Sequence, residues 1–494
     1  MHKRREANFA GLLVQRLGEA SCLIDAATGK TISGPDLPAR LVGFAAGFSK
    51  AGLQAGDRIL LACSLTPAST LAYLGAMYAG FVPVLIEERM VAASGDQLLT
   101  KSKAAAVWTE KKASGAWDTA YPEIPRLEGD FEPCSPASLP CSPCTQHDLA
   151  ALMPTSGSTG VPRLVMVSHG NLISNTEAII RSQRLGANER AMLIMPISYC
   201  FGASVMHSHL WQGGGVVFDS RFMFPDRVLH AINSHQCTTF AGVPIIYNIL
   251  LRRSNLKSIP MPGLRRFLQA GGALAPESVE EMSSICPGTG FFVMYGQTEA
   301  TARISCLPAE RLREKLGSAG LPLDNLEIRV VDEQCREVPR GQSGEIQVRG
   351  PSVCIGYLDD AEATERKFGG GWLKTGDYAA RDEDGFLWIK GRTDDFIKIR
   401  GVRVSVGEVE AKVGAMAGVS ECAAVAVKHP EAGEALALLV VAEKVVAEHS
   451  EDNLSERVRR GLPPHWTCVT VKMVSALPRT ANGKIARAQL TELI

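Results

Sequence analysis

The first hundred residues alternate between strand-like and helix-like patterns of apolar positions. Two apolar runs, RILLACSL (58–65) and FVPVLIEE (81–88), have the length and composition of buried strands. Between them, PASTLAYLGAMYAG (67–80) has the pattern of a helix. Strands that alternate with helices indicate helices layered on a sheet, so this pattern predicts an α/β architecture.

The pattern changes from about residue 320, where short strands and turn residues become frequent. LEIRVVDEQCREVPRGQSGEIQVRG (326–350) and DGFLWIKGR (384–392) predict a small β-barrel or sheet. Beyond it, a helical stretch (406–416) followed by the strand-like runs ECAAVAVKH and ALALLVVAE predicts a separate compact unit. Residues 129–147 are rich in Pro, Ser and Cys without any period, which is typical of a loop.

Together these patterns predict an α/β protein of two domains. The large N-terminal domain is expected to span residues 1–393 and to contain two α/β layered subdomains plus a small β-barrel. A small α+β domain is expected over residues 394–494. The length of 494 residues agrees with this division, because a single core of that size is unusual.

Composition narrows the class of protein. The chain has 46% hydrophobic and 21% charged residues, as an ordinary globular protein does. Lys plus Arg (52) equals Asp plus Glu (52), so the charge gives no reason to expect nucleic acid as a partner. We expect no secretory leader, and the sequence has no long apolar run. Its 13 cysteines, an odd number, indicate reduced thiols. We therefore expect a cytoplasmic protein without a membrane span, either a monomer or a homodimer.

The stretch TSGSTGVPR (155–163) has the glycines and hydroxyl groups of a loop that holds phosphate. It differs from the common nucleotide loop G-x-x-x-x-G-K-[ST], because only two residues separate Gly157 from Gly160 and Val161 follows. It also lies between two predicted strands, whereas the common loop leads into a helix. The stretch therefore predicts a phosphate site whose lysine comes from elsewhere in the chain.

Four further motifs follow in order: YGQTE (295–299), WLKTGD (372–377), GRTDDFIKIRG (391–401) and LPRTANGKIAR (477–487). The second places Asp377 in a predicted turn, and the last carries Lys484 after an Asn-Gly turn. In this order and spacing, the chain resembles the adenylate-forming (ANL) superfamily. That superfamily comprises acyl-CoA and aryl-CoA synthetases, peptide-synthetase adenylation domains and beetle luciferases.

The resemblance implies roles for the residues of these motifs in binding ATP and Mg²⁺. The implied phosphate-binding residues are Thr155, Ser156, Gly157, Ser158, Thr159, Gly160 and Arg163. Those implied to contact adenine, ribose or the α-phosphate are Gly271, Gly272, Ala273, Tyr295, Gly296, Thr298, Asp377 and Arg392. Glu299 is implied to bind Mg²⁺, a hard ion for which carboxylate oxygen is a suitable ligand.

The resemblance also implies a mobile C-terminal domain that serves two steps in turn. Lys484 would act at the α-phosphate in the first step. The domain would then rotate about Asp394 and bring Lys398, Gly401 and Arg403 to the site for the second step.

The implied reaction is the activation of a carboxylic acid by ATP. A carboxylate is a poor acyl donor, so its attack on the α-phosphorus first forms an acyl-adenylate and releases pyrophosphate, with Lys484 and Mg²⁺ offsetting the repulsion between the anions. A thiol then takes the acyl group. That thiol belongs either to coenzyme A or to the phosphopantetheine arm of a carrier protein, and the sequence leaves both open. The presence of Lys484, Glu299 and Asp377 disfavours an inactive homologue.

Three positions depart from the family pattern. Arg163 stands where lysine is usual, and it keeps the positive charge. Tyr199 stands where CoA ligases often have histidine, which suggests a gate to the acyl tunnel. Gly202 stands where α-amino-acid-activating domains have an aspartate, so an ammonium group on the substrate would be unpaired and costly.

The predicted acid pocket is mostly small and apolar. Its members are Tyr199, Phe201, Gly202, Ser204, Val243, Gly271, Ala273 and Ala300. Side chains of this size favour a straight-chain fatty acid or a flat aryl acid over acetate, and they leave those two alternatives open.

Two clusters of candidate metal ligands have simpler explanations. Cys134, Cys141, Cys144 and His147 could chelate zinc, but their spacing matches no standard zinc finger. A proline-rich surface loop that happens to contain thiols is the simpler interpretation. His207 and His209 are two residues apart, so on a helix they face different directions and are expected to be packing or pocket residues.

Overall fold

The computed structural model describes the larger part of the chain. The described residues are 7–110, 123–155, 162–392, 396–399, 402–429, 433–442, 451–463, 466, 468–479 and 485–494.

The helices of these residues are α1 Phe9–Val14, α2 Leu37–Lys50, α3 Pro67–Tyr78, α4 Val91–Ser102, α5 His169–Gln183, α6 Cys200–Trp211, α7 Pro225–Ser234, α8 Pro244–Arg253, α9 Pro276–Ile285, α10 Ala361–Phe368, α11 Val406–Gly414, α12 Glu451–Gly461 and α13 Arg487–Leu490. The strands are β1 Cys22–Asp25, β2 Thr31–Ser33, β3 Arg58–Cys63, β4 Val82–Glu87, β5 Ala106–Thr109, β6 Arg126–Glu128, β7 Leu149–Thr155, β8 Arg163–Ser168, β9 Arg190–Leu193, β10 Gly215–Phe218, β11 Thr239–Gly242, β12 Arg266–Gln269, β13 Gly290–Tyr295, β14 Ser305–Leu307, β15 Leu321–Pro322, β16 Glu327–Val331, β17 Ser343–Arg349, β18 Gly356–Tyr357, β19 Leu373–Arg381, β20 Leu387–Arg392, β21 Phe396–Ile399, β22 Val402–Ser405, β23 Val419–His429, β24 Gly433–Ala442 and β25 Cys468–Met473.

The chain divides into two compact units. The first consists of residues 1–329, 347–375 and 383–387, and the second of residues 330–346, 376–382 and 388–494. No helix in the described ranges is both long and apolar enough to cross a lipid bilayer.

A nine-stranded sheet in the first unit positions most of the candidate site. Its order is β15-β14-β13-β12-β11-β9-β10-β1-β2, and the six strands from β13 to β1 are parallel to one another. In a parallel sheet the carboxyl ends of the strands lie at one edge, where ligands of open α/β sheets bind. The segments that follow β11, β12 and β13 therefore lie next to one another.

A seven-stranded sheet of order β18-β8-β7-β4-β3-β5-β6 completes the layers of the first unit. Its strands β3 and β4 and the helix α3 between them confirm the elements predicted over residues 58–88. Every residue of α3 is buried, which agrees with its mostly apolar sequence. One core cluster contains residues of both sheets, among them Leu61, Val165 and Phe218. The predicted pair of α/β layered subdomains is thus confirmed.

The second unit contains the predicted C-terminal helix and strands. The sheet order is β22-β21-β24-β23 with β25 paired to β24, and the order of α11, β23 and β24 follows the predicted one. The core of this unit packs residues of α11 and α12, such as Val409 and Leu454, against sheet residues such as Leu438. Helices packed on a mixed sheet, with both antiparallel and parallel strand pairs, form the expected α+β architecture.

The predicted small β-barrel is wrong. The four strands of this region form an open sheet of order β16-β17-β19-β20, and the described residues contain no pairing between β16 and β20 that would close it. Four strands are too few to surround a packed interior. The predicted turn at Asp377 is also wrong, because Asp377 lies inside β19, directly after Gly376, whose φ of +74° bends the strand.

Residues 129–148 contain no helix or strand, which confirms the predicted loop. The loop packs closely on glycines of the first helices. A Cβ atom added at Gly43 would lie 2.3 Å from the carbonyl oxygen of Glu132, and one at Gly11 would lie 2.5 Å from Cys141 Sγ. The small residues of α1 and α2 therefore make room for this loop.

Candidate active site

The segments after β11 and β12 meet at the carboxyl edge of the nine-stranded sheet. Gly271 has a φ of +82°, and a Cβ atom there would lie 3.0 Å from Val243 Cγ1. The side chain of Gln269 donates from Nε2 to the carbonyl oxygen of Gly272 at 2.8 Å. This bond fixes the exposed turn of Gly271, Gly272 and Ala273, the segment predicted to frame adenine.

The YGQTE motif begins at the end of β13, next to that turn. Tyr295 is the last residue of the strand and is half-buried. A Cβ atom at Gly296 would lie 1.7 Å from the carbonyl oxygen of Ala302, so only glycine fits where the chain doubles back. A single 3₁₀ turn, Thr298–Ala300, follows and places Thr298 and Glu299 after the strand.

The carboxylate of Glu299 belongs to a polar cluster. Tyr357 Oη donates to Glu299 Oε1 at 2.7 Å. The guanidinium carbon of Arg163 lies 5.5 Å from the centroid of the Tyr357 ring, and Arg163 Nε lies 3.4 Å from Asp360 Oδ2. Burial and the neighbouring Glu299 carboxylate raise the pKa of Tyr357, so its hydroxyl stays a donor at neutral pH. The predicted residues Arg163 and Glu299 are therefore connected through one tyrosine.

Sequence reasoning missed Tyr357. It lies in β18, a two-residue strand that pairs with β8. A strand so short has no periodic pattern, so only the position of an aromatic residue shortly before Asp360 could have drawn attention to it.

Thr298 is held on both sides by sulfur. Its Oγ1 donates to Cys200 Sγ at 3.5 Å, and Cys354 Sγ donates to its carbonyl oxygen at 3.3 Å. Burial raises the pKa of both thiols, to about 12 for Cys354. A neutral thiol is a weak nucleophile, so both cysteines position Thr298 and do not attack the substrate.

The first turn of α6 carries the predicted acid-pocket residues. Tyr199 precedes the helix with 41% of its surface exposed. Phe201 is half-buried, and its carbonyl oxygen accepts a hydrogen bond from Ser204 Oγ at 2.8 Å. A Cβ atom at Gly202 would lie 2.3 Å from the carbonyl oxygen of Pro196, so this backbone has no room for an aspartate there.

A small cavity lies beneath α6. It is lined in part by Tyr73, Cys200, Ala203, Ser204, His207 and Thr301. His207 packs between Phe9 and Tyr73, with ring centroids 4.8 Å and 5.6 Å away, and burial lowers its pKa to about 3. His209 Nδ1 lies 2.8 Å from the carbonyl oxygen of Val205, and burial lowers its pKa to about 4. Both histidines are neutral packing residues, which confirms the expectation from the sequence.

Asp377 and Arg392 lie together in the second unit. Asp377 is buried, and Arg392 Nη1 lies 3.8 Å from Asp377 Oδ1. These are the two residues predicted to contact the ribose.

Several predicted residues lie outside the described part of the chain. They are Ser156, Gly157, Ser158, Thr159, Gly160, Asp394, Gly401 and Lys484. Thr155 and Arg163, which flank the phosphate loop, are partners in the antiparallel pair β7–β8. Lys398 and Arg403 are backbone partners in the pair β21–β22.

The candidate zinc ligands are not gathered. Cys134, Cys141, Cys144 and His147 are all described, and within the described ranges no three His, Cys, Asp or Glu residues form a group that could hold a metal ion. Cys141 Sγ instead lies 3.6 Å from the carbonyl oxygen of Tyr78. Structurally, these cysteines pack the loop onto the helices.

Comparison with known proteins shows the same family over both parts of the chain. Residues 13–358 match the family described as AMP-binding enzyme, and residues 408–484 match the AMP-binding enzyme C-terminal domain. Feruloyl-CoA synthase from Amycolatopsis sp is 31% identical over 94% of this chain and 94% of that protein. 3-Hydroxybenzoate–CoA ligase from Aromatoleum sp. (strain CIB) is 29% identical over 90% of this chain and 88% of that protein.

Solved structures show the same architecture. The o-succinylbenzoate CoA synthetase from Bacillus subtilis, in complex with its acyl-adenylate intermediate, is 25% identical and covers 98% of this chain and 97% of its own, with a TM-score of 0.85. The same enzyme in complex with ATP and magnesium ion is 25% identical and covers 97% of this chain and 99% of its own, with a TM-score of 0.84.

Proposed function

The chain belongs to the AMP-binding enzyme family of the adenylate-forming superfamily, and from that premise we propose that it ligates a carboxylic acid to coenzyme A. ATP is cleaved to AMP and pyrophosphate in the reaction. The relatives support coenzyme A as the acceptor, because feruloyl-CoA synthase and 3-hydroxybenzoate–CoA ligase are both named for CoA thioesters and match most of this chain.

The observation that carries the proposal is the cluster around Glu299. The carboxylate follows a parallel strand at the carboxyl edge of the sheet and is oriented by Tyr357 at 2.7 Å. Thr298, beside it, is held by Cys200 and Cys354. A fixed hydroxyl and a fixed carboxylate next to a glycine-lined turn suit a nucleotide phosphate and its cation.

In the first step, a carboxylate oxygen of the acid attacks the α-phosphorus of ATP. The bond from the α-phosphorus to the bridging oxygen breaks, and pyrophosphate leaves with the electron pair. Thr298 would contact the α-phosphate, and Tyr295 and the turn of Gly271 to Ala273 would hold the adenine. Lys484 and the loop from Ser156 to Gly160 would neutralise the phosphates, as the family resemblance implies.

The donor set fits Mg²⁺. This ion commonly takes one or two protein carboxylates and completes its shell with substrate phosphates and water. Glu299 supplies one carboxylate, whose Oε1 accepts from Tyr357, and no group of three acidic or imidazole ligands occurs in the described ranges. Glu299 would therefore hold Mg²⁺, which supplies positive charge beside the phosphates.

In the second step, the thiol sulfur attacks the acyl carbon and AMP leaves. We propose that a domain over residues 394–494 turns about Asp394 relative to residues 1–393 between the two steps. Lys484 would then withdraw, and Lys398, Gly401 and Arg403 would line the path of the thiol. Lys484→Ala is expected to abolish adenylate formation and to leave thiol transfer from pre-made acyl-AMP. Equal loss of both half-reactions would contradict the rotation.

The acid is proposed to be aromatic. The named substrates of both curated relatives are aryl acids, and half-buried Phe201 supplies an aromatic ring to the predicted pocket. A flat ring fits such a site.

The proposed function is tested by pyrophosphate release from ATP and Mg²⁺. The purified protein is assayed with aryl, fatty and amino acids, each with and without coenzyme A. We expect turnover with aryl acids that requires coenzyme A. Release that stops near one equivalent despite coenzyme A would indicate a carrier protein as acceptor, and no release with any acid would indicate an inactive homologue.

A further inference from the structure

Arg303 is a buried arginine without an acidic partner among the described residues. Only 2% of its surface is exposed, and it is among the largest fully buried side chains. Its Nη1 contacts the sulfur of Met294, and no carboxylate of the described residues pairs with it. A thioether is a weak acceptor, and a buried guanidinium without an anion is costly. No group of the described residues therefore balances this charge.

The neighbours of Arg303 are also unable to supply an anion. The nearest ionisable groups are the thiols of Cys306 and Cys200, and burial keeps both protonated by raising their pKa, to about 11 for Cys306. Gln183 Nε2 donates to the same Met294 sulfur at 3.3 Å, and Gln183 Oε1 is buried without a hydrogen-bond partner. Burial lowers the pKa of Arg303 to about 10, so the guanidinium remains charged at neutral pH.

The position of Arg303 is fixed and borders the acid pocket. Asn175 holds its backbone through two hydrogen bonds, at 2.9 Å and 3.2 Å. The guanidinium carbon lies 5.2 Å from the ring centroid of Phe201, a predicted pocket residue. Phe201 follows Cys200, whose sulfur accepts from Thr298 at the proposed α-phosphate position. Arg303 and the Thr298 contact are thus connected through two neighbouring residues of α6, Phe201 and Cys200.

We propose that Arg303 is a specificity residue that pairs with a second carboxylate at the far end of the substrate acid. This inference rests on the proposed acid-activating function and narrows its substrate class to dicarboxylic acids. The substrate presents one carboxylate for adenylation near Thr298 and the other to Arg303. A buried, fixed guanidinium with no internal anion binds a carboxylate in a bidentate geometry and rejects an uncharged end.

A matched arginine elsewhere in the same unit shows what a structural role looks like. Arg266 is also largely buried, but it forms an ion pair with Glu189, whose side chain is 3% exposed. Arg303→Met leaves no buried acid of the described residues unpaired, whereas Arg266→Met leaves buried Glu189 with only the longer contact to Arg265 Nη1 at 3.8 Å. We therefore expect Arg303→Met to keep or raise the Tm of the free protein and Arg266→Met to lower it. A lower Tm for Arg303→Met would assign Arg303 to folding and overturn the proposal.

The decisive assay compares paired acids by pyrophosphate release with ATP, Mg²⁺ and coenzyme A. Linear dicarboxylates of several lengths are set against monocarboxylates of the same length, and benzenedicarboxylates against benzoate and hydroxybenzoates. We expect at least one dicarboxylate to exceed its partner in kcat/KM by about 100-fold or more, as for one partner of a buried charge pair. Arg303→Met should reverse this preference, and Arg303→Lys should retain part of it.

The other outcomes are equally informative. A wild-type preference for monocarboxylates or hydroxybenzoates, or a dicarboxylate preference that survives in Arg303→Met, would overturn the proposal. If no acid supports release, the proposed function fails, and binding still tests Arg303. A dicarboxylate that raises the Tm of the wild type but not of Arg303→Met would support the pairing, and an equal shift in both proteins would contradict it.

Discussion

The two ends of the strands in the nine-stranded sheet have different chemistry. At the amino ends, Glu189 pairs with Arg266 and accepts from the backbone N–H of Gly186 at 3.3 Å. Arg266 also donates to two backbone carbonyl oxygens, at 3.1 Å and 2.9 Å, and Thr238 Oγ1 accepts from the backbone of Arg190. Burial would raise the pKa of Glu189, but the charge of Arg266 and hydrogen bonds from Thr238, Arg266 and the Gly186 N–H hold it below its ordinary value.

The carboxyl ends of β12 and β13 lack this internal pairing among the described residues, although Asp219 after β10 pairs with Arg221. Gln269, the last residue of β12, has a buried Oε1 without a hydrogen-bond partner among the described residues, and Arg303 lacks an anion there. The chain at this edge turns at Gly271 and Gly296, where a side chain would collide. The Glu189–Arg266 pair at the amino ends thus balances its own charges, whereas the carboxyl ends of β12 and β13 leave donors and acceptors for a ligand. We expect residues of the first end to act on stability and those of the second to act on function.

The largest effect is expected at the paired end. Glu189→Gln removes the charge that balances buried Arg266, and we expect it to lower the free energy of unfolding by about 3 kcal/mol. Urea denaturation at pH 7 measures this. The KM values for ATP and for the acid should not change in the folded fraction. An unchanged free energy of unfolding, or a raised KM, would contradict the assignment of the amino ends to stability.

The next effect is expected at the ligand end. Glu299→Gln removes the proposed Mg²⁺ ligand and should lower the rate of pyrophosphate release by about 100-fold, as the loss of one preorganised electrostatic group does. Stability should change little, because Tyr357 can still donate to the amide oxygen. Tyr357→Phe is the matched variant: it removes one orienting hydrogen bond and should cost less than Glu299→Gln. Loss of stability without loss of rate would assign this cluster to folding.

The smallest expected effect is a change in the pH dependence of stability, and it concerns two histidines of α6. His207 lines the cavity beside the acid pocket, and His209 lies within electrostatic reach of Glu189 and Arg266. Both are buried with pKa values lowered from 6.5, to about 3 and about 4. Below pH 6.5 the unfolded chain therefore binds more protons than the folded protein does. The contribution of the two neutral histidines to the free energy of unfolding is complete above that pH. It decreases as the pH falls towards 4.

The free energy of unfolding falls between pH 7 and pH 5. Replacing either histidine by phenylalanine should make this fall smaller by about 2 kcal/mol. Urea denaturation at the two pH values measures the difference. Only His207→Phe should also change the KM for the acid, because only His207 lines the cavity. An equal change in KM for His209→Phe would contradict the distinction between the two histidines.

The sequence predicted the elements whose pattern is long and regular. The strands around α3 were found because burial on both faces makes them uniformly apolar. The phosphate-loop strands β7 and β8 were found for the same reason. The order of α11, β23 and β24 was found from a helical stretch followed by two long strand-like runs. The order of the motifs indicated the family better than any single residue did. Asp377 or Lys484 alone could equally be an ordinary surface or turn residue.

The sequence could not predict features that depend on distant contacts. Closure of the β16–β20 region into a barrel depends on pairing between edge strands, which no local pattern encodes. Tyr357 reaches Glu299 across 58 positions, and Asn175 fixes Arg303 across 128. The one local sign of Arg303 is a charged residue within the otherwise small and apolar stretch ATARISCL (300–307).

The central claim, that the protein activates an acid by adenylation, is tested most directly with oxygen-18 in the substrate carboxylate. The protein is incubated with ATP, Mg²⁺, coenzyme A and the labelled acid, and the products are analysed by mass spectrometry. Attack on the α-phosphorus followed by thioester formation transfers one labelled oxygen to AMP, and this is the result that we predict. Unlabelled AMP, or label in inorganic phosphate together with ADP, would contradict the account.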